Sequence, residues 1–99
     1  MPDNKDLAFK RLCIDLGRTE ASLTEEVKDY IHSKLDAAAA RLVKAGIDLN
    51  DGAADTLDLW IMYAAYLYRR RDSNEAMPMS LRLALNDAKV AAATKGADA

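Results

Sequence analysis

Read for the spacing of its apolar positions, the chain resolves into four helical segments, with no strand pattern competing. In the first, from about Asn4 to Leu16, Phe9, Leu12, Cys13 and Leu16 recur at i, i+3, i+4 and i+7 and so share one face; Gly17 stops the helix. The second opens at "SLTE", where Ser22 and Glu25 have the spacing of a capping box. Val27, Tyr30, Ile31, Leu35, Ala38, Leu42 and Val43 then hold one face for about six turns until Gly46. The segment "IDLNDG" links onward.

The third segment, from about Asp51 to Arg71, breaks the pattern of one stripe per helix. Leu57, Trp60, Ile61, Ala64, Leu67 and Tyr68 form one stripe, and Leu59, Met62, Tyr63 and Tyr66 form a second beside it. A helix apolar on nearly all sides has to be covered on nearly all sides. Two arrangements satisfy that demand. Either this is the central helix of its own bundle, or the second stripe faces another subunit, where tyrosines suit an apolar patch with a wet rim. The fourth segment follows "SNEAMPMS". Pro78 suits a first helical turn, and Leu81, Ala84, Leu85 and Ala88 supply a weaker apolar face. The ending "AAATKGADA" has no large side chain to anchor it. The expectation is an all-α fold, a small bundle of about four helices with two long central ones. It forms a single domain over residues 1–93, with a flexible tail over 94–99.

Composition narrows the functional classes. Hydrophobic residues make up 51% of the 99 positions and charged residues 30%, a globular mixture, although alanine supplies much of the first figure. With 14 basic against 16 acidic side chains the net charge is −2, which gives no overall attraction to phosphate backbones. Cys13 is the only cysteine, so no disulfide forms within the chain and a reducing compartment is expected. The opening "MPDNKDLAFK" lacks the basic stretch and apolar run of a secretion signal. The longest apolar run, Leu59 to Tyr68, is ten residues, against the ~20 that span a bilayer, so no membrane association is expected.

Signatures of chemistry fail one by one. His32 is the only histidine and lies beside the buried face of its helix, where a surface role is expected, with no nucleophile near it in sequence. Cys13 sits on an apolar face, where a small buried thiol is the default. One His, one Cys and scattered carboxylates match no zinc-ligand spacing. An EF-hand reading of "DLNDG" puts Ile47 and Leu49 at the first and third ligand positions, where neither binds calcium. No glycine-rich phosphate loop occurs. The expectation is a protein without enzymatic activity, cofactor or metal. Arg69, Arg70 and Arg71 complement the negative end of their helix dipole or offer guanidinium forks to an acidic partner.

The last forty residues carry a resemblance. A helix ending in "AAYLYRRRD", a short polar loop and then "MPMSLRLALNDAK" resemble the small head–tail connector (adaptor) proteins of long-tailed bacteriophages. In that family a helix ends in a leucine–tyrosine pair and an arginine. A loop then leads to a proline-initiated segment with an arginine and paired leucines. Leu67, Tyr68, Arg71, Pro78, Arg82 and Leu85 stand at those positions. The likeness extends over about residues 7 to 90, and its specific part lies within 57–86. Ser80 stands where many members have glycine, and the ending lacks the tyrosine-and-arginine finish through which the resemblance would contact the portal.

The resemblance implies a non-enzymatic structural protein at the head–tail interface of a virion, made in the bacterial cytoplasm. Copies would form a ring under the portal protein, completed on that template where isolated subunits are monomeric. The ring would extend the DNA channel without sequence-specific binding and would dock a stopper or tail-completion protein. Leu59, Met62, Tyr63 and Tyr66 are then the expected subunit interface. Arg69, Arg70 and Arg71 with Met77, Pro78, Met79 and Arg82 are the expected docking residues. A rival from another class is a small helical regulator, such as an antitoxin or transcription cofactor, that dimerises through the third helix.

Overall fold

The computed structural model describes residues 5–19, 22–49, 54–70 and 76–97, the side chains of 94–97 excepted. They form four helices: α1 (Lys5–Asp15), α2 (Glu25–Lys44), α3 (Ala54–Arg70) and α4 (Met79–Ala97). Among the described residues there is no strand, and the fold is all-α as expected.

Two of the helix ends are set by local chemistry. Gly17 has φ +73° and Gly46 has φ +90°, the left-handed region that a side chain disfavours. Around Gly46, its own N–H donates to the Val43 carbonyl and the Ile47 N–H donates to the Leu42 carbonyl. Those are the two reversed bonds of a Schellman cap. The side chains of Leu42 and Ile47 are both buried, so the same turn that satisfies the last carbonyls of α2 also anchors the next segment. The Gly17 and Arg18 N–H groups repeat the pattern on the Ile14 and Cys13 carbonyls.

The start of α2 corrects the expected capping box. Thr24, not Ser22, is the cap: its backbone is extended and its hydroxyl oxygen accepts from the Val27 N–H at 3.2 Å. Ser22 instead donates its hydroxyl to the Thr19 carbonyl at 2.8 Å, closing a turn one step upstream. Leu23, between them, packs against the core, and that packing orients the chain so that Thr24 meets the helix. Glu25 and Glu26 then lie in the first turn, where the helix dipole favours negative charge.

The core is built on α3, which packs against α1, α2 and α4, while α1 also packs against α2. All six residues of the first α3 stripe are buried, with Trp60 and Ala64 fully enclosed. Trp60, Leu12 of α1 and Ile31, Leu35 and Leu42 of α2 are the largest fully buried side chains and belong to one cluster. The Trp60 indole N–H donates to the Leu35 carbonyl at 2.9 Å, giving the one polar atom of that side chain a partner inside the core. At the α1–α2 contact the His32 ring stacks on Phe9, centroids 4.2 Å apart and planes 5° from parallel. His32 is therefore a half-buried packing residue with a specific aromatic neighbour, which corrects the surface role expected of it. Lys5 and Asp36 bridge the same two helices at 2.7 Å.

α4 completes the bundle. The Pro78 carbonyl accepts from the Arg82 N–H at 3.0 Å, so Pro78 stands just ahead of the helix as its entry residue. Leu81 and Leu85 are buried and Ala84 and Ala88 half-buried, the face expected from spacing. The backbone is helical to Ala97. No helix among the described residues is long and apolar enough to cross a membrane.

Candidate interaction surface

The three helices around α3 hide more of it than its sequence suggested. Leu59 is buried and Tyr63 is 8% exposed, both enclosed by their own chain. The expectation that the whole second stripe is free for another subunit is therefore corrected for these two residues. The reason is geometric: with α1, α2 and α4 all packed on α3, the second stripe becomes interior at Leu59 and Tyr63. Met62, 37% exposed, and Tyr66, half-buried, remain at the surface.

What stays open on α3 is a single narrow line. Asp55, Asp58, Met62, Tyr66 and Arg69 fall at i, i+3, i+7, i+11 and i+14, the spacing of one helical face. Along that line the chemistry changes from acidic through apolar to basic. Its basic end meets the start of α4. A cleft of about 250 Å³ is lined there by Met62, Tyr66, Arg69, Pro78 and Ser80, with Asp15 of α1 at its edge. The structure thus brings together two sets of residues that the sequence reading had kept apart, the tyrosine-bearing stripe and the arginine–proline segment.

Within this cleft the arginines do different things. Arg69 reaches α1, its guanidinium 3.5 Å from the Asp15 carboxylate and 3.5 Å from the Asp15 carbonyl. A cation there complements the negative end of α1 rather than only that of its own helix. Arg70 is exposed and its guanidinium carbon lies 6.0 Å from the Tyr66 ring centre, within cation–π range. Arg71 lies outside the described residues. Met77 is half-buried against the core, whereas Pro78, Met79 and Arg82 are exposed.

Two features escaped the sequence reading. On the outer side of α4, Met79, Leu83 and Val90 are 63%, 54% and 66% exposed. Their i, i+4, i+11 spacing is a second apolar line on a helix whose other face is already packed; the heptad offset between Leu83 and Val90 is the signal that would have found it. The other feature is a groove of about 630 Å³ between α4, the first half of α3 and the loop after α2. Leu59, Met62, Ala84 and Ala88 form its apolar floor, and Asp48, Asp55, Asp58 and Asp87 stand around it. No linear motif announces it, because its aspartates come from three separate segments.

Cys13 is buried, as its position predicted. Among the described residues no group of three or more His, Cys, Asp or Glu side chains is arranged to hold a metal. Compared with protein-family models, curated proteins and solved structures, the chain matches none.

Proposed function

We propose that the chain is a non-enzymatic assembly subunit, a head–tail adaptor of a long-tailed bacteriophage. In this reading it forms a ring beneath the portal and docks a stopper or tail-completion protein. The observation that carries the reading is the convergence of Met62, Tyr66, Arg69 and Pro78 on one cleft, flanked by exposed Arg70 and Met79. Those residues belong to the helix–loop–proline segment in which the resemblance to adaptor proteins is most specific. An aromatic ring beside guanidinium groups is the kind of surface that anchors protein contacts.

A ring subunit needs two different faces, each covered by a neighbour. The fold supplies two candidates on different sides of α4, the cleft and the Met79–Leu83–Val90 line. Self-association no longer rests on Leu59 and Tyr63, which are already enclosed. DNA would pass through the ring without being read.

The test is to mix the purified protein with purified portal protein and to image the sedimented material by electron microscopy. Rings capping the portal support the reading; repeated absence of any complex at both low and moderate salt refutes it. Solution mass separates the rival. A tight dimer that persists on dilution points to the helical regulator, whereas a monomer that assembles only on the portal points to the adaptor.

A further inference from the structure

We infer that the acidic groove between α3 and α4 is the seat for the arginine-bearing end of α3 from an adjoining copy of this chain, a head-to-tail contact. The inference rests on the self-assembly reading above and names the surfaces that would carry it.

The argument starts from the polarity of the open line on α3. Asp55 and Asp58 stand at one end, Arg69 and Arg70 at the other, and 12 residues from Asp58 to Arg70 span about 18 Å at 1.5 Å per residue. The two charge sets are too far apart to neutralise each other within one copy. Among the described residues no cation is paired with Asp55, Asp58 or Asp87. One subunit therefore presents an acidic concavity and, a helix length away, the exposed guanidinium of Arg70, Arg69 being held by Asp15.

Shape decides between the ways two such lines could meet. The acidic end is a groove walled by α4, with Ala84 and Ala88 as small floor residues that let an incoming chain approach closely. The middle and basic parts of the line are also concave, because α4 runs beside them from Pro78 onward. Two concave lines laid antiparallel would bring the α4 walls together before the charges meet. Arg70 is exposed and does not line that cleft, so its guanidinium enters a groove on an adjoining copy without that obstacle. The apolar floor at Met62, Ala84 and Ala88 accepts the aliphatic stem of an arginine while its head reaches the rim aspartates. A contact between two different patches repeats from copy to copy, which closes a ring or grows a filament.

The experiment is charge reversal read by sedimentation velocity over a concentration series to ~1 mM, where a contact of only about 4 kcal/mol is still half populated. The groove variant is Asp55→Lys with Asp58→Lys; the end variant is Arg70→Glu, which leaves the Arg69–Asp15 pair intact. Each alone should weaken self-association at least about tenfold, since attraction becomes repulsion at Arg70. The chain carrying all three changes should recover it. An equimolar mixture of the groove and end variants should also assemble, in alternating order, because each end then meets a groove of opposite charge on the other variant. Asp87→Lys, which changes the groove from α4 without altering either end of α3, should also weaken the contact; circular dichroism establishes that each variant is folded.

Wild-type chain that stays monomeric to ~1 mM at low salt overturns the inference. So does a closed dimer, which would assign the line to antiparallel pairing. Self-association that none of the reversals alters also overturns it, yet leaves ring assembly itself standing. Failure of the portal experiment, by contrast, removes the adaptor reading whatever the charge reversals show.

Discussion

Replacing Trp60 by phenylalanine separates the two jobs of that side chain, and the structure sets the size of the effect. Trp60 is fully enclosed, and its indole N–H meets the Leu35 carbonyl at 2.9 Å. Phenylalanine keeps an aromatic ring but loses the donor. The Leu35 carbonyl is not orphaned, because as an interior helical group it keeps the Ala39 N–H four residues on. The loss on this count is the net worth of one hydrogen bond, about 1 kcal/mol. The smaller ring also buries less apolar surface, about 40 Å², which at roughly 25 cal/mol per Å² is about another 1 kcal/mol. Incomplete collapse of the site brings the total to about 2–3 kcal/mol. For a domain of this size that lowers the melting temperature by about 10–20 °C, a large part of a total stability of about 5–15 kcal/mol.

The assay is urea unfolding followed by far-ultraviolet circular dichroism, which does not depend on the chain's single tryptophan. Met62→Ala is the matched control: it lies on the same helix two positions on but faces solvent, and should cost less than ~1 kcal/mol. In the wild type, acrylamide should quench Trp60 fluorescence far less in buffer than in urea. Trp60→Phe within ~0.5 kcal/mol of wild type, or Met62→Ala as costly as Trp60→Phe, would refute the arrangement of α3 against α2.

The other expectations probe ends and surfaces. Thr24→Ala should lower stability by about 1 kcal/mol and Ser22→Ala by a few tenths in urea titrations; the reverse order would return the cap to Ser22. Gly46→Ala should cost about 1–2 kcal/mol by thermal unfolding, purely from backbone conformation, since an added Cβ meets nothing within 4 Å; a neutral result would contradict the left-handed turn. Leu83→Lys with Val90→Lys should leave the unfolding midpoint within ~0.5 kcal/mol while reducing recovery of the protein in portal-bound rings; undiminished recovery would remove the outer face of α4 from the interface.

The number and type of helices were legible in the linear pattern because those properties are local. Residues such as Phe9, Leu12 and Cys13 declare one face by spacing alone, and Gly17 and Gly46 declare stops because a left-handed backbone is cheap only without a Cβ. The inward stripe from Leu57 to Tyr68 was equally plain. Which further residues end up inside was not, since periodicity records how many faces of a helix are apolar and not how many neighbours arrive. Leu59 and Tyr63 were candidates for a subunit interface until α1, α2 and α4 closed around α3. The choice of Thr24 over Ser22 as cap followed the packing of Leu23, as both residues offer the same hydroxyl. Arg69 found Asp15 across 54 positions of sequence, and the acidic groove drew its aspartates from three segments. Such pairings depend on where helices lie relative to one another, and the packing of whole helix faces decides that.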